Sequence, residues 1–178
     1  ERVDLFLCHA WDADVPIAET AAALDGLVAA GKIGAYGLSN VDGAQVREAL
    51  AAGNFQWVQN SYSLLDREAE REVIPICLEH GLGFTPFGPL AGGWLTGKYR
   101  RGMTSVPAGS RESHGDGESW RARDNEETWR VVETVQAVAA ETERTPSQVA
   151  LRWLLDRPGV TAPIIGARTL DQLTDNLG

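Results

Sequence analysis

The segment KIGAYGLSNVDGAQVREALAAG, residues 32–53, decides the fold of this chain because it joins one strand directly to one helix. KIGAYGLSN is predicted to be a strand. In the stretch that follows, Asp42 and Gln45 have the spacing of a capping box, and Gly53 is predicted to end the helix. We therefore interpret the segment as one β/α unit.

The same pattern recurs on both sides of this segment. Strands are predicted at residues 3–8, 32–40, 55–63, 82–87 and 160–167. Helices are predicted at residues 16–30, 41–53, 66–81, 126–143, 145–159 and 169–178. Such alternation predicts an α/β fold with a parallel sheet, either open and doubly wound or curled into a (β/α) barrel. No GxGxxG follows a strand, which weakens a dinucleotide-binding open sheet.

Individual residues predict where two of the later helices begin. Asp66 is expected to cap the helix over 66–81, and Pro75 is expected to bend it. Thr145 is expected to cap the helix over 145–159, with Pro146 at its first position and Gln148 closing a capping box.

The composition restricts the class of protein. The chain has 178 residues, of which 43% are hydrophobic, enough for one domain over residues 1–178 with its own core. A net charge of -9 disfavours binding to nucleic acid or to an anionic membrane surface. No apolar stretch approaches the roughly 20 residues that span a bilayer, and no signal peptide leads the sequence, so we expect a soluble, cytoplasmic protein. Because the chain starts at Glu1 and enters a strand almost at once, we expect a fragment.

The cysteine content and the stretch from about residue 100 to 125 give two further predictions. Cys8 and Cys77 are the only cysteines, too few for a disulfide framework, and they indicate buried thiols in a reducing compartment. From about residue 100 to 125 the sequence is rich in glycine, serine and charge and has no apolar period. We predict a long mobile loop there, containing His114.

Polar residues fall at the carboxyl ends of the first three predicted strands. His9 follows the first strand, Ser39 and Asn40 the second, and Gln59 and Asn60 the third. Binding chemistry in parallel α/β folds collects at this rim, and the hydroxyl and amide groups match the donors and acceptors of a neutral carboxamide. Asp12 and Asp14 lie near His9, but no second histidine or carboxylate has ligand spacing, so no metal site is predicted.

Two later stretches are suited to anions. The glycines of FGPLAGGWLTGKY, residues 87–99, allow backbone N–H groups to approach a phosphate. In IIGARTLDQLTDNL, residues 164–177, Gly166 and Arg168 lie between a predicted strand and a helix N-terminus. Exposed amides, the helix dipole and a guanidinium favour phosphate at that position, although Arg168 could equally be an ordinary surface cation.

Five collinear stretches together resemble the aldo-keto reductases, a family of (β/α)8 barrels that reduce aldehydes and ketones with NADPH or, less often, NADH, without a metal. They are DLFLCHAWD (4–12), GKIGAYGLSN (31–40), VQNSYSLLDRE (58–68), PFGPLAGGWLTGKY (86–99) and PIIGARTLDQLTDNL (163–177). The resemblance covers nearly the whole chain. It implies a partial barrel of about the last five β/α units, acting on a small carbonyl substrate with NADP(H), and leaves the oligomeric state open.

The resemblance also implies roles for single residues. His9 matches the histidine of the catalytic tetrad, which polarises the substrate carbonyl. Ser39, Asn40 and Gln59 match the family's residues that bind the nicotinamide carboxamide. Phe87 matches the residue that stacks on the nicotinamide ring, which in the family is usually tyrosine. The remaining cofactor positions, in the pyrophosphate loop and around the adenosine 2'-phosphate, match Gly88, Pro89, Leu90, Gly166, Arg168, Gln172 and Asn176. Arg168 there implies a preference for NADP over NAD.

The other three tetrad residues, an aspartate, the proton-donating tyrosine and a lysine, belong to strands of the family that precede this chain. Tyr36, Tyr62 and Lys98 occupy other motifs. We therefore expect the chain alone to be inactive, since hydride transfer needs a general acid. An alternative is a non-catalytic nucleotide-binding or regulatory module of the same fold. A third is an unrelated phosphate-binding barrel, which requires all five matches to be coincidental.

Overall fold

The computed structural model describes residues 1–107, 110 and 118–178. Its sheet has four parallel strands in the order β1-β2-β3-β4. They are β1 (Val3–Cys8), β2 (Ile33–Ser39), β3 (Trp57–Gln59) and β4 (Gly83–Phe84). The register places Leu38 beside both Cys8 and Val58, and Ser39 beside Gln59. The carboxyl ends of β1, β2 and β3 therefore finish at one edge of the sheet.

Seven helices lie in the described part of the chain. They are α1 (Ile17–Ala29), α2 (Gly43–Ala52), α3 (Val73–His80), α4 (Glu118–Arg123), α5 (Glu126–Glu141), α6 (Pro146–Leu155) and α7 (Leu170–Leu177). Short 3-10 turns occur at Glu68–Glu70 and Ala91–Thr96. None of the helices that the structure describes is long and apolar enough to cross a membrane.

The described residues form two compact units. The first comprises Glu1–Tyr62, Arg67–Phe87 and Arg157–Ala162 and contains the sheet with α1, α2 and α3. Its buried side chains come from the strands and from the inner faces of these helices: Ala21, Leu24, Leu38, Val46, Ala49, Val58, Ile76, Cys77 and Phe84. Removing these apolar side chains from water stabilises the unit.

The second unit comprises Ser63–Asp66, Gly88–Asp156 and Pro163–Gly178. Its core is aromatic. The ring of Trp94 lies 4.9 Å from Tyr99, 5.3 Å from Trp129 and 6.1 Å from Trp120, centroid to centroid. Ala91 and Leu95, Val132 and Val135 of α5, and Ala150 of α6 complete the cluster.

Capping residues begin the helices where the sequence predicts. Asp42 accepts a hydrogen bond from Gln45 N while the Gln45 side chain accepts one from Asp42 N, and this reciprocal pair confirms the predicted box. The same arrangement joins Thr145 and Gln148 at the start of α6. Gly53 follows α2, also as predicted.

The prediction of one helix over residues 66–81 is wrong. Asp66 caps no helix: its side chain accepts hydrogen bonds from Ser63 Oγ and from the Arg123 guanidinium. The helix begins only at Val73, so that Pro75 lies in the first turn of α3. A proline there costs no hydrogen bond, because the first N–H groups of a helix have no partner within it.

Two further predictions differ from the structure. Residues 160–167 form no strand: Thr161 N donates to Phe84 O at 2.8 Å, but Thr161 Oγ1 accepts from Phe84 N, and Pro163 has no N–H to continue a ladder. Within the predicted loop over 100–125 the structure contains α4, whose Trp120 is buried in the aromatic cluster. His114 lies outside the described residues.

Candidate cofactor site at the strand ends

Three of the predicted site residues meet in the first unit, at the ends of β2 and β3. Ser39 and Gln59 are register partners in the sheet. Asn40 N donates to Gln59 O at 3.1 Å, which extends the pairing by one residue. Asn40 has a φ of 56°. Asparagine tolerates this left-handed conformation better than most residues, so the sequence permits the chain to turn away from the sheet at this position.

His9 is joined to the same group through its backbone. It follows β1, and its carbonyl oxygen accepts a hydrogen bond of 2.8 Å from Asn40 Nδ2. The same nitrogen lies 3.1 Å from Ser39 Oγ. The imidazole of His9 is exposed, whereas Ser39 is buried. The structure thus brings together His9, Ser39, Asn40 and Gln59, as the sequence predicts for the rim of a parallel sheet.

These contacts fix which polar atoms are presented. The His9 carbonyl can only accept, so the nitrogen of the Asn40 amide must face it, which leaves Asn40 Oδ1 as an acceptor. Ser39 Oγ accepts from Asn40 Nδ2, so its own hydrogen remains to donate. A primary carboxamide carries one N–H2 donor and one carbonyl acceptor. The acceptor Asn40 Oδ1 and the donor hydroxyl of Ser39 therefore fit the N–H2 group and the carbonyl of a nicotinamide carboxamide.

Phe87 is held at the neighbouring strand end. Its N–H donates to Asn60 O at 3.0 Å, and its carbonyl accepts from Tyr62 N at 3.2 Å. Tyr62 is in turn fixed by a hydrogen bond of 2.5 Å from its hydroxyl to Glu70 Oε1. Burial and this bond raise the pKa of Tyr62 well above its usual range. Phe87 is half-buried, so part of its ring remains accessible.

Asn60 is one of the polar residues that the sequence places at a strand end, but no role in the site is predicted for it. Its side-chain amide pairs with the backbone of Val41 in the turn after β2, with Nδ2 donating to Val41 O and Oδ1 accepting from Val41 N. Its position after β3, adjacent to Gln59, is the only sequence signal that could have pointed to it. The pairing with Val41 joins residues 19 positions apart and has no local pattern.

The remaining predicted residues lie in the second unit. Gly88 has a φ of 66°, and its carbonyl accepts from Ala91 N at 2.8 Å, which starts the 3-10 turn over Ala91–Thr96. Pro89 is buried and Leu90 half-buried. This positive φ is accessible to glycine without strain, and it allows the chain to turn sharply after Phe87.

Around the start of α7, capping contacts organise the predicted phosphate segment. Thr169 Oγ1 accepts from Gln172 N at 3.2 Å, and Gln172 Oε1 accepts from Arg168 N at 2.8 Å. Gln172 therefore has one side-chain atom committed to shaping the helix start. Gly166 and Arg168 are exposed, and Asn176 is half-buried.

Other candidate sites carry less chemistry. Among the residues that the structure describes, no group of three or more His, Cys, Asp or Glu side chains is placed to hold a metal ion. An open cleft of about 510 Å³ lies at the amino ends of β3 and β4, lined in part by Phe55, Trp57 and His80. A second cleft, of about 610 Å³, lies beside α5. Neither cleft is lined by a predicted site residue, and the polar side chains of the second cleft include Arg101, which is paired with Glu126 and Glu133.

Comparison with known proteins agrees with this arrangement. The family model described as "Aldo/keto reductase family" matches residues 1–178. The chain is 33% identical over 182 residues to the NADH-specific methylglyoxal reductase of Escherichia coli (strain K12), covering 99% of this chain and 54% of that protein. It is 32% identical over 185 residues to the "Probable voltage-gated potassium channel subunit beta" of Oryza sativa subsp. japonica, covering 99% and 56% respectively.

A solved structure gives the same result. The glycerol dehydrogenase AKR11B4 from Gluconobacter oxydans matches with a TM-score of 0.83 at 28% identity, over 100% of this chain and 54% of that one. This confirms the predicted (β/α)8 barrel fold, of which the chain covers a part. The chain spans about half the length of the curated relatives it matches. It belongs to the aldo/keto reductase family.

Proposed function

We propose that this chain forms the cofactor-binding part of an NADP(H)-dependent oxidoreductase that reduces aldehydes or ketones to alcohols. The observation that carries the proposal is the pairing of one acceptor, Asn40 Oδ1, with one donor, the Ser39 hydroxyl, beside Gln59 at the end of β3. A primary carboxamide offers the complementary pair. Hydrogen bonds in both directions fix the orientation of such a group, which a single contact would not.

In this proposal each residue has a separate task. Ser39, Asn40 and Gln59 hold the carboxamide and so select the face of the nicotinamide ring. The accessible face of Phe87 covers that ring. NADPH, when bound, supplies the hydride. His9, at the end of β1, donates a hydrogen bond to the substrate carbonyl oxygen and withdraws charge from the carbon.

The cofactor preference rests on Arg168. A guanidinium next to a helix N-terminus suits the dianionic 2'-phosphate, which NADP carries and NAD does not. The relative from Escherichia coli is named as NADH-specific, so the preference is a separate test of this chain. We propose NADP(H) as the cofactor and Arg168 as the discriminating residue.

We further propose that the chain alone does not turn over substrate. Tyr36 and Tyr62 are buried, and their hydroxyls donate to the carboxylates of Asp25 and Glu70. Burial and these bonds raise the pKa of both hydroxyls, which makes them weaker acids. Neither tyrosine can therefore take the role of the proton donor that the family places on earlier strands.

A second candidate function is a non-catalytic, nucleotide-binding module. The similarity to a protein named as a potassium channel subunit beta favours it, because a regulatory protein can keep a cofactor site without the proton donor. Both candidates require nicotinamide binding. They differ in whether a protein that combines this chain with the family's earlier strands consumes NADPH when an aldehyde is added.

The experiment that tests the proposal is a titration of the purified chain with NADPH and with NADH, followed by quenching of its six tryptophans. Saturable binding that favours NADPH is expected. Gln59→Leu should weaken it, whereas the matched control Gln56→Leu, an exposed residue just before β3, should not. Absence of saturable binding to the folded chain, or equal effects of the two variants, would overturn the proposal.

A further inference from the structure

The Asn60 side chain makes two hydrogen bonds to the backbone of one residue, Val41, in the turn after β2. Its Nδ2 donates to Val41 O at 2.6 Å, and its Oδ1 accepts from Val41 N at 3.1 Å. An amide satisfies a backbone donor and acceptor together, as a neighbouring strand would. Asn60 is half-buried and Val41 is buried, so water cannot replace both bonds equally well.

The backbone of Asn60 holds a second turn. Asn60 O accepts from Phe87 N at 3.0 Å. One residue therefore connects the turn after β2, through its side chain, with the turn after β4, through its carbonyl. These turns contain Asn40 and Phe87, for which we propose contacts to the carboxamide and the ring.

The turn after β2 depends on such support because Asn40 has a left-handed backbone conformation. Asn40 has a φ of 56°, and its orientation depends on hydrogen bonds to His9 O and Gln59 O. A non-glycine residue keeps this conformation only where its surroundings impose it. Val41 is the next residue in the chain, so fixing its N–H and carbonyl removes the freedom through which Asn40 would relax.

We propose that Asn60 is a positioning residue for the nicotinamide end of the cofactor site: it touches no cofactor atom, but it sets Asn40 and Phe87 relative to each other. This inference rests on the proposed function, since it assumes that these residues contact nicotinamide. It makes a selective claim. Loss of the Asn60 side chain weakens binding of the nicotinamide part and leaves binding of the adenosine part unchanged.

Asn60→Asp tests the claim with almost no change in size. One carboxylate oxygen can still accept from Val41 N, but the other faces Val41 O, where it repels instead of donating. Asn54→Asp is the matched control, because it adds the same charge at an exposed position before β3. Asn60→Ser is the second variant, which removes the pair without adding charge and keeps the test valid if Asn60→Asp does not fold.

Calorimetry of the chain with two probes separates the outcomes. The probes are NADPH and adenosine 2',5'-bisphosphate, which lacks nicotinamide. Both Asn60 variants should lose roughly tenfold or more in affinity for NADPH, the size expected for a lost buried hydrogen bond, with affinity for the bisphosphate within about twofold of wild type. Asn54→Asp should change neither. In spectra of amide resonances, Val41 and Phe87 should shift in the Asn60 variants only.

Two results would overturn the inference in different ways. If the Asn60 variants bind NADPH like wild type, or lose both probes equally, Asn60 does not position the nicotinamide end. If the wild-type chain itself binds NADPH no better than the bisphosphate, nicotinamide adds no affinity, and the proposed carboxamide site is wrong. The proposed function then falls, and this inference falls with it.

Discussion

The Tyr36 hydroxyl donates a hydrogen bond of 2.7 Å to Asp25 Oδ1 and accepts one of 2.8 Å from Asn54 N. It thereby joins β2 to α1 and to the turn before β3. The ring is 1% exposed and packs edge-on against Phe55, with centroids 4.8 Å apart. Tyr36 is thus a connection between three elements of the first unit, and it lies in β2, the strand that ends at Ser39.

Replacing Tyr36 by phenylalanine should lower the free energy of unfolding by about 1–3 kcal/mol. The substitution keeps the packing but removes both hydrogen bonds, one of them to a carboxylate. Urea unfolding followed by circular dichroism measures the change. A difference below about 0.5 kcal/mol would mean that water replaces the hydroxyl without loss.

The same hydroxyl should make the fold sensitive to alkali. Burial, and then the bond to Asp25, raise the pKa of Tyr36 to about 12. An unfolded tyrosine loses its proton at about pH 10. The contribution of this group is therefore fully present below about pH 10 and is lost as the pH rises towards 12. Urea titrations at pH 8, 10 and 11 should show a steeper decline for wild type than for Tyr36→Phe, and parallel declines would contradict the assignment.

Trp120 should control the docking of α4. Its indole is buried against Trp94, and Trp129 Nε1 donates to Asp124 just beyond the helix. Trp120→Ala removes a large α4 side chain that is buried in this cluster and should speed tryptic cleavage at Arg121 and Arg123 severalfold. Val138→Ala, which shortens an apolar side chain exposed on α5, is the control. Equal cleavage of both variants would contradict the expectation.

Thr145 should stabilise α7 as well as α6. Its hydroxyl caps α6 by accepting from Gln148 N and donates to Asp175 Oδ2 in α7, while Gln148 Nε2 donates to Asp175 O. Thr145→Ala should cost about 0.5–2 kcal/mol in the free energy of unfolding, whereas Thr145→Ser keeps the hydroxyl and should cost less. Thermal or urea unfolding distinguishes them. A serine variant as unstable as the alanine variant would assign the effect to the lost methyl group.

Arg168 should decide between the two nicotinamide cofactors. Arg168→Ala is expected to weaken NADPH binding about tenfold and to leave NADH binding unchanged, because only the 2'-phosphate has lost its cation. Arg130→Ala, at an exposed position on α5, controls for the change in net charge. Tryptophan quenching gives both affinities. An equal loss for NADPH and NADH would mean that Arg168 supports the segment instead of reading the phosphate.

The local signals in the sequence predicted the structure well. The boxes at Asp42 and Thr145 begin α2 and α6 because both partners lie within one turn of helix. The rim position of His9, Ser39 and Gln59 follows from strand order and parallel register alone. Such features depend on neighbours in sequence or on a simple rule of topology.

The errors come from contacts between distant residues. Asp66 has the spacing of a helix cap, but Ser63 and Arg123 take its carboxylate. Trp120 lies in a stretch with no apolar period, yet it belongs to a short helix and its indole is buried beside Trp94. Asn60 pairs with Val41 across two turns. The pairs Asp66–Arg123, Trp94–Trp120 and Val41–Asn60 are far apart in sequence, so only the folded arrangement reveals them.

The grouping of Trp94, Trp120 and Trp129 also has an optical consequence. Two of the six indoles in the chain, Trp129 and Trp120, lie with ring centroids 5.3 and 6.1 Å from that of Trp94, close enough for the excited states of the three to couple. Coupled indoles produce paired bands of opposite sign in the circular dichroism spectrum, with a strength that depends on mutual distance and tilt. The second unit therefore contains its own internal reporter: without any added label, displacement of Trp120 should change the amplitude of these bands, while the Trp94–Trp129 pair keeps its own contribution.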